Sequence, residues 1–135
     1  MKVPKIIFSE MRLMPHNIIG ITLYPFIILN LSISNSASKL NETIRHEKIH
    51  IKQQEELLVI FFYLWYIIEW SVKIFKFGKN AYYHISFEKE AYKFDTDVEY
   101  LENRKNMLLL NLFFKKYSLI RFLLLYLYHN YLNKI

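Results

Sequence analysis

From Ile18 to Leu31 the chain is almost continuously apolar and rich in β-branched and aromatic types (Ile-Ile-Gly-Ile-Thr-Leu-Tyr-Pro-Phe-Ile-Ile-Leu-Asn-Leu). That composition predicts a β-strand or short hairpin. Pro25 cannot donate to a ladder, so part of the segment is expected on a sheet edge. The Ser/Asn-rich stretch 32–38 reads as a loop. Asn41 is a plausible helix cap, with Glu42 in the first turn where acid suits the helix dipole. Helical composition then continues to about Phe77 and is ended by Phe77-Gly78-Lys79-Asn80. This is long for one globular helix, and a break is expected near Glu55 to Leu57.

Residues 57–75 are apolar on all sides, which is the pattern of a buried or membrane-associated helix. The uninterrupted part, Leu57 to Ile68, is short for a membrane span and is followed by Glu69 and Lys73. Tyr63, Trp65, Tyr66 and Trp70 would also suit a bilayer interface, so the pattern allows core and membrane contact alike. A further helix is expected from Ser86, a cap-like residue, to about Arg104. The last apolar segment, Met107 to Leu132, is broken by Lys115, Lys116 and Arg121 and reads as an amphipathic helix lying on lipid or protein.

The expectation is therefore a mainly α protein with a short N-terminal β-strand or hairpin. At 135 residues it has room for one sizeable core. Two glycines and three prolines fit a mostly helical chain. The absence of cysteine rules out disulfides and Cys-type zinc sites, and it fits a cytoplasmic location or the cytoplasmic face of a membrane. The +6 formal charge is spread along the chain without any nucleic-acid module signature, so nucleic acid is not the expected partner. Residues 1–37 run basic, apolar, then small and polar, in the order of a secretory signal. Glu10 in the basic part, and Gly20, Thr22, Tyr24 and Pro25 in the apolar part, argue against that reading.

One run names a chemistry: His46-Glu47-Lys48-Ile49-His50. Residues i and i+4 of a helix lie nearly one above the other, so both imidazoles can reach a single metal ion. Glu47 would project beside that ion, where it can take a proton from water. HExxH on a helix reads as the core of a zinc peptidase, against the plain alternative of a surface helix that carries two histidines. Catalytic zinc takes three protein ligands. The extended form HExxHxxGxxH is excluded, because Gln53 and Glu56 stand at its Gly and His positions. The third ligand is then expected from a glutamate on a later helix. Glu88 and Glu90 are the candidates, pointing about 160° apart on one helix so that only one faces the metal. Glu69, embedded in its apolar run, is a weaker third.

Glu88-Lys89-Glu90-Ala91 resembles the E-x-x-A/S pattern of HExxH zincin-like metallopeptidases of the gluzincin type. That resemblance implies Glu88 as the ligand and a small residue, Ala91, where the two helices approach. Those families often place Asp after the small residue to steady a zinc histidine. Here Tyr92 stands there, and Asp95, one further turn along, is the substitute orienter. Residues 18–104 also resemble small uncharacterised bacterial proteins that share a Pro-Phe-Ile strand, HEKIH followed by Gln-Gln-Glu-Glu-Leu-Leu, an aromatic helix, and Ile-Ser-Phe-Glu-x-Glu-Ala-Tyr. The implied organisation is a zincin-like domain over 1–106 and an apolar, basic helix over 107–135 packed on the domain or a membrane.

The expected activity is hydrolysis of a peptide or protein substrate by zinc-activated water. His46, His50 and Glu88 would hold the metal, and Glu47 would be general base. His84 and Tyr92 are the nearest oxyanion donors in sequence. Gln53 and Gln54 are expected to orient a ligand or to face solvent. The edge strand is expected to pair with an extended substrate. The alternative is a non-catalytic membrane-associated helical protein with a structural or vestigial metal site.

Overall fold

A computed structural model describes residues 3–10 and 18–105, and the helix expected over 107–132 lies outside them. The chain divides into two units, Met1–Arg104 and Lys105–Ile135. The first is mainly helical with a small N-terminal sheet, as the pattern of apolar positions predicts.

The sheet has three strands, β1 (Lys5–Ser9), β2 (Gly20–Leu23) and β3 (Phe26–Asn30), in the order β1-β3-β2. β2 and β3 form an antiparallel hairpin through Tyr24 and Pro25, and β1 lies parallel to β3 on its other side. Pro25 sits in the turn, outside the ladder. β1 was not anticipated. Its apolar residues Ile6, Ile7 and Phe8 are few and all partly exposed, so no clear alternation announces the strand. Ile27 and Leu29 alternate inward from β3 and are fully buried with Ile33 and Ile51, and Leu40 and Ile44 pack against this cluster.

Where a loop was expected, Leu31–Asn35 forms a 3-10 turn, opened by Asn30 Oδ1 accepting the Ser32 N–H at 3.0 Å. Helix α1 (Ala37–Glu56) starts before Asn41, with Ser36 at the N-cap position. Burial of Leu40 against the sheet explains the early start, because docking it requires this turn to be helical already. The expected break is present. α1 ends at Glu56, α2 spans Ile60–Phe77, and the two are bent by 112°. Leu58 and Val59 at the elbow take positive φ (55° and 48°), a left-handed backbone that side chains disfavour. Among the described residues no single helix is long and apolar enough to cross a membrane, although the bent α1–α2 pair passes by length and composition.

Two helices, α3 (Ser86–Phe94) and α4 (Tyr100–Asn103), replace the single one expected over 86–104. The interruption follows from two aspartates. Asp95 turns its side chain inward, and Asp97 Oδ1 accepts the Glu99 N–H at 3.0 Å, competing with helical continuation. Ser86 is the first helical residue of α3 and Ile85 its N-cap. Capping comes from elsewhere. Glu69 on α2 accepts the Ser86 N–H at 3.1 Å and its hydroxyl at 2.6 Å, and pairs with Lys73. Glu69 thus fastens α2 to the start of α3 and is not a candidate ligand.

Candidate metal centre

α1 presents His46, Glu47 and His50 along one buried side, each 5–7% exposed, and α3 crosses it with Glu88, 2% exposed. The α1–α3 contact is made close by Ala91, which is fully buried. His46 Nε2 and His50 Nε2 lie 3.2 Å apart. Glu88 Oε2 lies 3.4 Å from His46 Nε2, and Glu88 Oε1 lies 3.4 Å from His50 Nε2. Ligands about 2.0–2.1 Å from a tetrahedral zinc stand about 3.3 Å from one another, so the three side chains fit one ion. Glu88 Oε2 is buried and has no hydrogen-bond partner among the described residues, a costly condition that a cation at the centre would relieve.

Electrostatics point the same way. Burial disfavours a charged His50, but the Glu88 carboxylate beside it prevails and raises the imidazole to about 9. Glu88 itself, against the cost of its burial, is held well below the usual carboxylate range by the His46 and His50 imidazoles beside it. The three groups call for positive charge between them. Glu47 is pushed upward by burial, against the opposing pull of His50, Thr22 and His46. Burial therefore favours the protonated form of Glu47 and makes its carboxylate a stronger base than an exposed one.

Both imidazoles are oriented from behind. Asp95 Oδ2 lies 3.4 Å from His46 Nδ1, in the place where the sequence suggested a substitute orienter. His50 Nδ1 lies 2.7 Å from Gln53 Oε1. Gln53 Nε2 donates to the Phe87 carbonyl at 3.1 Å and to Glu90 Oε2 at 3.2 Å, so its oxygen must face the ring. This fixes the His50 proton on Nδ1 and leaves Nε2 for a metal. Gln53 is fully buried and does not face solvent. Its spacing from His50, i to i+3, was the available signal. Replacing Gln53 by Ala is expected to weaken zinc affinity about 10–100-fold, measured by competition with a chromogenic chelator. Unchanged affinity would remove Gln53 from this role.

Glu90 is thereby excluded as third ligand. Its Oε1 accepts from Arg104 Nε at 2.5 Å and from the Tyr100 hydroxyl at 2.8 Å, while Arg104 Nη1 reaches Glu56 Oε1 at 2.5 Å. Gln54, also buried, ties α1 to the hairpin by accepting the Tyr24 N–H and donating to the Thr22 carbonyl.

A cleft of about 670 Å³ opens over the centre. β2 forms one wall, and Phe62, Tyr63, Tyr66, Ile67 and Trp70 of α2 form another that is mostly apolar. The Tyr66 hydroxyl donates to Glu88 Oε1 at 2.8 Å, and Tyr82 also lines the cleft. Neither tyrosine was found from sequence, since nothing local separates them from the chain's other tyrosines. Tyr92 lines the cleft with its ring edge-on to His46, centroids 4.5 Å apart. His84 does not line it: its ring stacks on Phe77 at 3.7 Å, at the far end of α2.

No protein-family model, curated protein or solved structure matches this chain.

Proposed function

We propose that the protein is a zinc-dependent peptidase of the HExxH type with glutamate as third ligand. The observation that carries this reading is the convergence of two imidazoles and one partnerless carboxylate oxygen at zinc-ligand spacing, with a second buried carboxylate, Glu47, beside them. Two nitrogens and one oxygen favour zinc or a neighbour in the series. Zinc bound there would bring water's pKa towards neutrality and polarise a carbonyl. Glu47 accepts the proton of the attacking water and delivers it to the leaving amine nitrogen. Tyr92, in the cleft wall, would donate to a developing oxyanion.

The sheet supports an extended peptide as substrate. Ile19 carbonyl pairs with Asn30 N–H at 2.9 Å, so in the antiparallel register the backbone groups of Gly20 and Thr22 turn to the open edge of β2. The Thr22 carbonyl is taken by Gln54 and Tyr63, which leaves the edge near Gly20 for a substrate strand. The aromatic wall suits apolar side chains.

Elemental analysis of the purified protein should find about one zinc per chain, lost in His46→Ala and in Glu88→Ala. A chain that neither carries nor takes up zinc would end this reading. Zinc retained with no turnover on any peptide would favour the alternative, a structural or vestigial metal site in a membrane-associated helical protein.

The outer side of α2 supports membrane-surface contact. Ile60, Phe61, Leu64, Ile68, Val72 and Phe75 are each more than half exposed and share one side of the helix about 120° wide. The three charged residues of α2, Glu69, Lys73 and Lys76, lie on the opposite side. This inverts the arrangement of a water-facing helix. Trp65, Trp70 and the +6 charge fit an anionic bilayer interface better than a second protein. The full-length chain is expected to co-sediment with anionic phospholipid vesicles, and the Ile68→Glu/Phe75→Glu variant to lose most of that binding. Equal binding by the variant would exclude this face.

A further inference from the structure

Glu47 is held on α1, yet the atoms that fix its carboxylate belong to the edge strand. Thr22 Oγ1 lies 2.6 Å from Glu47 Oε2 and 3.1 Å from the Glu47 carbonyl oxygen. The hydroxyl has one proton, and the nearer, charged acceptor is the carboxylate. Two residues back on the same face of β2 stands Gly20. A Cβ at that position would fall 2.6 Å from Glu47 Oε1, 3.1 Å from its carboxyl carbon and 3.0 Å from Thr43 Cγ2. The strand therefore touches both carboxylate oxygens, one by a donated hydrogen bond and the other by the absence of a side chain. The glycine backbone is not in a left-handed conformation, so room for Glu47, not backbone freedom, is what this position requires.

We infer that Gly20 and Thr22 are positioning residues that seat the Glu47 carboxylate from β2, fixing Oε2 through the Thr22 hydroxyl and leaving Oε1 beside Gly20 to meet water. The inference rests on the proposed general-base role of Glu47 for its catalytic consequence, but the seat itself is a contact between β2 and α1. It has a corollary for substrate choice. The strand that would align a peptide also aims the base, so a substrate that shifts β2 shifts both together.

Three substitutions test it. Gly20→Ala puts a methyl group where Oε1 lies, and kcat should fall about 100-fold with zinc content unchanged. Thr22→Val keeps the shape and removes the donor, and kcat should fall about tenfold with KM within about twofold. Thr22→Ser, which restores the donor, should recover most of the lost turnover. A readout independent of turnover comes from unfolding of the zinc-free protein. Thr22→Val should lower the urea midpoint more when Glu47 is present than in a Glu47→Ala background, where the hydroxyl still has the residue-47 carbonyl to donate to. The seat is overturned if Thr22→Val shifts the midpoint equally in both backgrounds, or if an active wild type loses less than about twofold in kcat in both Gly20→Ala and Thr22→Val. A wild type that cleaves no peptide counts against the peptidase reading, and the urea cycle still decides the seat.

Discussion

Glu47→Gln should leave about one zinc ion per chain and lower peptide hydrolysis by about 10²- to 10⁴-fold. The amide keeps the size of the carboxylate and can still accept from Thr22, but it cannot take a proton from water near neutral pH. Metal analysis and turnover on a peptide library, run on the same preparation, separate this from loss of the ion. His46 and His50 reach the centre through Nε2 and do not depend on Glu47, so zinc should stay. Turnover within a few-fold of wild type would show that another group acts as base.

Arg104→Met should lower the free energy of unfolding by about 3–5 kcal/mol, read from urea denaturation followed by circular dichroism. The Arg104 side chain is fully buried between Glu56 and Glu90, both of them nearly so. Removing the guanidinium leaves two carboxylates close together with no cation between them, and such a loss is a large part of a domain's whole stability. Adding Glu90→Gln to Arg104→Met should recover part of it by removing one of the stranded charges. A shift below about 1 kcal/mol in the single variant would mean that water reaches the pair and screens it.

The centre was largely legible in the sequence because its parts are local. His46, Glu47 and His50 share one turn-and-a-half of helix, and the small Ala91 three residues after Glu88 marks a close helix crossing, so each half is written in adjacent positions. The elbow after Glu56 could also be anticipated, since one helix from Asn41 to Phe77 would be too long for so small a core. What escaped depends on contacts distant in sequence. β1 exists because β3 offers it an edge, and its own three apolar residues carry little pattern. The break after Phe94 depends on Asp95 finding His46, 49 residues away, so the local helical pattern ran on through it. Glu69 read as an embedded acid in need of a partner. That need was real, and the answer was the first turn of α3. Gln53 and Gln54 could be read as orienting a ligand or as facing solvent, because sequence gives no sign that their partners, Glu90 and the hairpin, stand behind them.

The two ties between α2 and α3 have a mechanical consequence. Tyr66 grips Glu88 and Glu69 grips Ser86, so bolts three residues apart on one helix meet points two residues apart on the other. The aromatic side of the trough and the carboxylate at its floor therefore travel as one body. Displacing α2 to widen the trough would therefore draw Glu88 away from His46 and His50.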